Sequence, residues 1–152
     1  LEEVVNNESL VEATEILRKI IDSHGTTIYA NFARLKVARL AHQKGDFGQA
    51  EEYIRHVVSN SSSDHTNTLA KIRLVSVLID QKKYDDALTM ISEIDDASFE
   101  SLVADLKSDL LFQKKDYDGA ISSSNEALTG VNSTNSWKGI MEMKKDSMES
   151  LR

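Results

Sequence analysis

The chain has 152 residues, of which 40% are hydrophobic and 28% charged, and it contains no cysteine. Disulfides, thiolate metal sites and cysteine nucleophiles are therefore excluded. The formal net charge is -7, and no cluster of lysines and arginines interleaved with aromatics offsets it. The composition therefore argues against binding to a nucleic-acid backbone. No apolar run reaches the length of about 18 residues that a membrane-spanning helix needs.

The first predicted helix covers residues 9–23. Ser9 and Glu12 have the spacing of a capping box, in which each side chain satisfies a free backbone amide at the helix start. Gly25 follows at the place where glycine commonly ends a helix. Apolar residues recur at helical spacing along one face, namely Leu10, Ala13, Leu17 and Ile20. We therefore expect an amphipathic helix before the next element.

A short motif then occurs three times, with an aromatic residue placed three positions before an alanine. The pairs are Phe47 with Ala50, Tyr84 with Ala87, and Tyr117 with Ala120. The alanines lie 37 and 33 residues apart, close to the period of about 34 residues that is typical of tetratricopeptide repeats. In such a repeat the aromatic opens the second helix of a hairpin, and the alanine lies where the two helices cross closely.

The repeat predicts an all-α, tetratricopeptide-like fold with three stacked helix hairpins. The hairpins cover residues 27–59, 65–95 and 97–129, and proline, which blocks helix interiors, is absent from the whole chain. We expect these hairpins, the N-terminal helix and a C-terminal helix to form a single domain over residues 1–152. One hairpin cannot bury its apolar face alone, so neighbouring hairpins must stack.

The last predicted helix covers residues 136–151 and is expected to cap the third hairpin. Its apolar residues form one stripe: Trp137, Ile140, Met141, Met148 and Leu151. A terminal helix of a repeat array covers the open apolar end and leaves a solvated outer face. We therefore expect this stripe to face the third hairpin.

The first helices of the hairpins are expected to line an inward, concave surface. Aligning the repeats on their alanines places twelve residues there: Phe32, Leu35, Arg39 and His42; Leu69, Ile72, Ser76 and Ile79; and Leu102, Asp105, Asp109 and Phe112. Two interpretations remain open for the apolar members. They either form the core between helices, the default use of apolar periodicity, or line a groove that binds extended or helical polypeptide. The two aspartates would favour basic segments and disfavour a terminal carboxylate.

Candidate catalytic and metal-binding groups do not converge in the sequence. The histidines at positions 24, 42, 56 and 65 lack the mutual spacing of metal ligands. The serines 122–124 lack the flanking glycines and the matched base of a nucleophile elbow. We therefore expect no cofactor, no metal and no enzymatic activity, and we interpret the chain as a protein-binding module.

Four stretches go beyond a generic repeat: GTTIYA at 25–30, FARL at 32–35, SFESLVADLKSD at 98–109, and KGIMEMK at 138–144. In this order they resemble the YfgM family of ancillary SecYEG translocon subunits. VADLKSD at 103–109 is the most specific part. The resemblance implies a periplasmic helical-repeat domain at the bacterial inner membrane that contacts translocon subunits, periplasmic chaperones or emerging polypeptides. It also implies a membrane anchor preceding Leu1, and no catalytic site.

A second interpretation stays open at this stage. The same repeat is used by soluble cytoplasmic adaptors, whose protein partners would be unrelated to a translocon. The two interpretations differ in what precedes Leu1, because an anchored protein would have about 20 apolar residues there.

Overall fold

The computed structural model describes residues 2–25, 27–130 and 136–152, and within these ranges all regular structure is helical. The α-helices are α1 (Glu2–His24), α2 (Ile28–Gln43), α3 (Phe47–Asn60), α4 (Asp64–Asp80), α5 (Tyr84–Ser92), α6 (Glu100–Gln113), α7 (Tyr117–Thr129) and α8 (Ser136–Leu151), with a 3₁₀ turn at Ala97–Phe99 before α6. The all-α prediction is confirmed, and no described residue lies in a strand. No helix in the described ranges combines the length and apolarity needed to cross a membrane.

Helix α1 begins earlier than the sequence predicted. The prediction started it at residue 9, whereas the helix already runs from Glu2. Neither proline nor glycine occurs between residues 2 and 24, so nothing in the sequence stops the helix at Ser9. The side chains of residues 2–10 and 13 lie outside the described ones. The capping role of Ser9 and the packing of Leu10 and Ala13 fall among them.

The helices group into two compact units, Leu1–Gln81 and Lys82–Arg152. The first unit contains α1 to α4, and the second contains α5 to α8. The division falls inside the second predicted hairpin, between its two helices. The single domain expected over residues 1–152 therefore stays a prediction, and each unit is described by itself.

The first unit is built from consecutive helices that pack in chain order. Helix α1 packs on α2, α2 on α3, and α3 on α4, while α2 also contacts α4. Large apolar side chains from three of the helices are almost fully buried: Leu35 and Val37 from α2, Ile54 and Val57 from α3, and Leu74 and Leu78 from α4. This burial removes apolar surface from water and is the main favourable term that holds the unit together.

The turns after α2, α4 and α6 share one backbone conformation. Gly45, Lys82 and Lys115 occupy equivalent positions and all have positive φ, at 78°, 61° and 64°. An aspartate caps the start of two of the following helices: Asp46 and Asp116 each accept a hydrogen bond of 3.0 Å from the backbone N–H three residues later. These turns explain why the repeated motif in the sequence located the hairpins.

In the second unit, α6 packs on α7, α7 on α8, and α5 on α6. Two apolar clusters fix α8: Ala104 with Ala127 and Met141, and Ala120 with Ile121 and Met148. Helix α8 therefore does cover the third hairpin, as expected, but with only part of the predicted stripe. Trp137, Ile140 and Leu151 are 45%, 66% and 55% exposed. The placement of Ile140 and Leu151 against the hairpin was wrong, because the side of α8 that carries Met141 and Met148 faces inward and turns these two residues outward. Trp137 lies at the edge of the contact, where it lines a pocket with Leu102 and Met141.

Candidate functional site

The predicted inward residues of α2 divide into a buried and an accessible set. Leu35 is only 1% exposed and belongs to the core of the first unit. Phe32 is 47% exposed, Arg39 is exposed and His42 is partly so. The burial of Leu35 favours the core interpretation for that position. The other three remain accessible on the same helix.

The predicted inward residues of α4 are less accessible than those of α2. Ile72 is 6% exposed and is a core residue, whereas Leu69, Ser76 and Ile79 are half-buried. The core interpretation therefore holds for Ile72. Half-burial leaves the other three with an edge that a partner could reach.

A pocket of about 310 Å³ brings three of these predicted residues together. Arg39 and His42 from α2 meet Ser76 from α4, and Arg73 from α4 lines the same pocket. The ring of His42 lies 2.5 Å from a carboxylate oxygen of Asp80 and contacts the ring of Phe47 edge-on. The pocket is thus a polar opening over the packed helices of the first unit.

In the second unit, the two predicted aspartates share one cation. The Nζ of Lys144 on α8 lies 2.8 Å from Asp105 and 2.5 Å from Asp109. Asp105 is 8% exposed, and Asp109 is half-buried. The carboxylates were expected to be available to basic segments of a partner, but a lysine of the same chain already engages both.

The electrostatics of this triad follow from burial and from pairing. Burial raises the pKa of Asp109, although the hydrogen bond and the charge of Lys144 pull it down. Burial alone would lower the pKa of Lys144, but its hydrogen bonds to Asp105 and Asp109 outweigh that effect and raise it. The raised pKa of Lys144 keeps the ammonium charged at neutral pH. The triad therefore forms an ion pair between α8 and α6.

The remaining predicted residues of the second unit lie in separate environments. Leu102 is half-buried and lines a pocket with Trp137 and Met141. Phe112 is half-buried and packs edge-on against Tyr117, with ring centroids 5.7 Å apart. Neither residue is an isolated exposed anchor.

The sequence analysis did not predict two charged residues that lie near the expected site, Arg73 and Lys144. Arg73 lies one helical turn before Ser76, so the register of α4 alone could have placed it on the same side. Lys144 gave no comparable signal. Its contact with Asp105 and Asp109 depends on how α8 is rotated against α6.

A second buried charge, Arg34, lies in the first unit and has a structural role. Arg34 is 7% exposed and donates a hydrogen bond of 2.7 Å to the backbone oxygen of Gly25, just after the end of α1. Burial, and then the charge of Arg34, lower the pKa of His56. Arg34 therefore ties α2 to the end of α1, and its charge adds to the effect of burial in lowering the pKa of His56.

Comparisons with known proteins agree with this architecture. A family model described as a tetratricopeptide repeat-like domain matches residues 1–150. An ancillary SecYEG translocon subunit of Neisseria gonorrhoeae is 28% identical over 149 residues, which cover 98% of this chain and 71% of that protein. A protein of the same name from Haemophilus influenzae is 27% identical over 111 residues, covering 73% of this chain and 54% of that protein. The resemblance expected from the sequence is confirmed.

A solved structure, the MamA RS-1 ArsTM double mutant, matches with a TM-score of 0.68 at 16% identity, covering 98% of this chain and 83% of that one. At this identity the match supports the fold alone. It agrees with the helical-repeat architecture of the described helices.

Proposed function

Because the chain belongs to the tetratricopeptide repeat-like domain family, we propose that it is a protein-interaction module of a bacterial SecYEG translocon. The observation that carries the proposal is the similarity over 149 residues to a protein named as an ancillary subunit of that translocon. Helical repeats present extended surfaces suited to other polypeptides. The shared name of the relatives supports this proposal more than a cytoplasmic adaptor with an unrelated partner.

The partners in this proposal are translocon subunits, periplasmic chaperones and emerging polypeptides. The domain works on the periplasmic side of the inner membrane, held there by an anchor that precedes Leu1. It acts by binding rather than by catalysis. The chemistry of the described sites supports that view, because Lys144 engages Asp105 and Asp109 in an ion pair between helices.

The inward helix faces are the proposed contact surfaces, and each unit contributes its own. In the first unit the accessible members are Phe32, Arg39 and His42. In the second unit they are the half-buried Leu102 and Phe112. Phe32 is the best anchor, because a large aromatic side chain that is half exposed can bury much apolar surface against a partner.

Photo-crosslinking of the full-length protein in its native membrane tests the proposal. A photoreactive amino acid replaces Phe32 in one variant, the exposed Glu52 of α3 in a matched control, and Trp137 in a third variant that probes a different face. We expect translocon subunits or emerging polypeptides to crosslink from position 32 and not from position 52. If translocon components crosslink from neither position, nor from Trp137, the proposed function is wrong. Crosslinks from position 52 or 137 alone would overturn only the choice of face.

A further inference from the structure

The second unit has an opening where α5 ends early. Helix α5 has 9 residues, whereas α3 and α7, the second helices of the other two hairpins, have 14 and 13. A pocket of about 390 Å³ lies between the end of α5, the start of α6 and the last turns of α7. Ile91 and Ala104, which are 9% and 7% exposed, lie at its base, and the half-buried Ile94 and Val103 line its wall. The volume is within the range of ligand pockets, about 300–1,000 Å³.

Carboxylates line the rim of this opening, which we call the acidic pocket, and most of them are unpaired. Asp95, Glu100 and Glu126 are exposed, and their side chains make no hydrogen bond or ion pair within the described part of the chain. Asp96 caps the 3₁₀ turn, because it accepts a hydrogen bond of 3.0 Å from the backbone N–H two residues later. Lys107 lines the same pocket but forms no ion pair with these carboxylates. The excess of negative charge over an apolar base therefore favours a cationic ligand with an apolar stem.

A second pocket, of about 280 Å³, lies between the starts of α6 and α8. Its large side chains are Phe99, Leu102, Trp137 and Met141, and we call it the aromatic pocket. Met141 is 1% exposed and lies at its base, whereas Trp137 is 45% exposed at its edge. An accessible aromatic edge over an apolar base suits a large apolar side chain of a partner.

The two pockets lie on opposite flanks of the first two turns of α6. Glu100, Val103 and Lys107 recur at helical spacing and share the flank that faces the acidic pocket. Leu102 is turned by about 200° from Glu100 and lines the aromatic pocket. Neighbouring side chains of an extended peptide also point to opposite sides. Two successive residues of a segment laid across this end of α6 can therefore reach one pocket each.

The rim carboxylates differ from the aspartates at which the sequence analysis expected basic segments. Asp105 and Asp109 are both engaged by Lys144 of the same unit. The unpaired carboxylates of the acidic pocket have no such internal cation among the described residues. The second unit thus retains a preference for basic segments, but at the start of α6.

We propose that this end of the second unit docks a short segment of a partner protein in which a large apolar residue is adjacent to an arginine or lysine. The apolar side chain fills the aromatic pocket, and the cation lies among Asp95, Glu100 and Glu126. The stem of the basic side chain covers the apolar base of the acidic pocket, as long basic side chains commonly do. The inference rests on the protein-binding part of the proposed function, because it takes the ligand to be a polypeptide.

Tryptophan fluorescence of the 152-residue chain tests the assignment, because Trp137 is its single tryptophan and lines the aromatic pocket. The probes are three hexapeptides of glycine and serine, acetylated and amidated at their ends. One has phenylalanine followed by arginine at its centre, one has citrulline in place of the arginine, and one has alanine in place of the phenylalanine. We expect the phenylalanine–arginine peptide to shift the emission of Trp137. Calorimetry should show that each replacement weakens binding by about ten-fold or more, through loss of the charge in one peptide and of apolar burial in the other.

Substitutions in the protein test the carboxylates separately. Glu100→Gln and Glu126→Gln each remove an exposed charge that no described residue engages, so the fold should be unaffected. Each should weaken binding of the arginine peptide by about three-fold and leave binding of the citrulline peptide unchanged. Glu52→Gln makes the same change on α3, outside both pockets, and should alter binding by less than about 1.5-fold.

Equal affinities of the arginine and citrulline peptides would overturn the inference, and so would equal effects of Glu100→Gln and Glu52→Gln. Tighter binding of calcium ions than of the arginine peptide would also overturn it, because the carboxylates would then belong to a metal site.

The crosslinking experiment keeps the two proposals distinct. If the full-length protein crosslinks to the translocon from position 32 while none of the peptides binds, the docking assignment is wrong and the proposed function stands. If the arginine peptide binds as expected but translocon components crosslink from none of the three positions, the translocon assignment is wrong and the docking assignment stands for a different protein partner.

Discussion

Two serines of the second unit show how one hydroxyl group decides a local free energy. Ser108 and Ser124 are both fully buried. The Ser108 hydroxyl donates a hydrogen bond of 2.8 Å to the backbone oxygen of Ala120 and so links α6 to α7. The Ser124 hydroxyl has no hydrogen-bond partner among the described residues. A buried hydroxyl without a partner loses its hydrogen bonds to water and gains none in the protein. The hydroxyl groups of Ser108 and Ser124 should therefore affect stability in opposite directions.

We therefore expect Ser124→Ala to raise the free energy of unfolding by about 1 kcal/mol, because it removes an unsatisfied group. Ser108→Ala should lower it by about 1 kcal/mol, because it removes a satisfied bond at the same degree of burial. Urea denaturation of both variants beside the parent measures the difference. Equal effects of the two alanines would show that the hydrogen bond to Ala120 is not what distinguishes them.

The hairpin turns each contain one residue in the left-handed, positive-φ conformation that favours glycine, and in two of them that residue is a lysine. Gly45 occupies it with φ of 78°, and a Cβ built there meets no heavy atom within 4 Å. Any cost of a side chain at this position therefore comes from the backbone conformation itself. Lys115 holds the equivalent place after α6 with φ of 64°.

We expect Lys115→Gly to raise the free energy of unfolding by about 0.5–1 kcal/mol. Glycine removes the steric cost of the left-handed conformation, and the greater entropy of glycine in the unfolded chain offsets part of that gain. Gly45→Ala should lower it by a similar amount, about 1 kcal/mol. Thermal and urea denaturation measure both. A gain from Gly45→Ala would contradict the account, since the reduced entropy of the unfolded chain would then outweigh the turn geometry.

At the scale of helices, the repeated alanines are the most direct test of the hairpin alignment. Ala50, Ala87 and Ala120 are all fully buried. We expect Ala87→Leu to lower the free energy of unfolding by about 1–3 kcal/mol, because the added atoms overpack a filled site. Ala97→Leu, at an exposed position, is the matched control and should stay within about 0.5 kcal/mol. An unchanged urea midpoint for Ala87→Leu would remove the support that the alanine spacing gives to the alignment.

Lys144 adds an ion pair to the apolar contacts that attach α8 to its unit. Lys144→Met would leave the buried Asp105 without its cation, and we expect a loss of about 1–3 kcal/mol in the free energy of unfolding. Asp109→Asn should cost less than about 1 kcal/mol, because Asp109 is more exposed and burial already disfavours its charge. Urea denaturation at pH 7 compares the two. The ranking would be wrong if Asp109→Asn proved the more damaging change.

The same contact predicts a pH dependence. The pKa of Lys144 is raised above its ordinary 10.5 in the folded chain. The folded state therefore holds this proton more tightly than the unfolded state does. Its contribution is complete below pH 10.5 and is lost as the pH rises through the folded pKa. Between pH 9 and about 12, the free energy of unfolding should fall more steeply with rising pH for the parent than for Lys144→Met.

The hairpins were predictable because their signals are local. The aromatic and alanine motif, with its lysine, glycine or aspartate turn, fixes where each second helix begins, and α3, α5 and α7 start at Phe47, Tyr84 and Tyr117 as the motif indicates. The orientation of α8 was not predictable in the same way. Its apolar residues cover a wide arc, and only packing against Ala104 and Ala127 selects Met141 over Ile140 as the inward residue.

The candidate site was predictable only in part, for a related reason. Helix register places Arg39 and Ser76 on facing helices, and the pocket does contain both. Register cannot tell a core residue from a lining residue, and Leu35 and Ile72 proved to be buried. Helix register also cannot show whether a charged residue is already paired, and for this reason the contact of Lys144 with Asp105 and Asp109 was not predicted. Such pairings depend on side chains from elements that are distant in sequence.

Among the residues whose burial the structure describes, the largest buried side chains are distributed unevenly between the two units. Those of the first unit include Leu35, Ile54, Leu74 and Leu78, whose exposed fractions lie between 0% and 2%. Those of the second unit are two large apolar residues, Leu110 and Met141, and the two serines, Ser108 and Ser124. Each unit is stabilised by the apolar area that it buries. Local opening of the helices in the first unit should therefore cost more free energy than opening of those in the second.

Native-state hydrogen exchange measures this difference without unfolding the protein. We expect amides in the middle of α4, such as those of Leu74 and Val75, to exchange more slowly than amides in the middle of α8. After correction for intrinsic rates the difference should be about ten-fold or more, which corresponds to about 1.4 kcal/mol. Helix α4 is buried along most of its length, whereas α8 keeps an exposed apolar side at Ile140 and Met143. Equal protection of the two helices would mean that opening is set by one cooperative transition of the whole chain rather than by the burial within each unit.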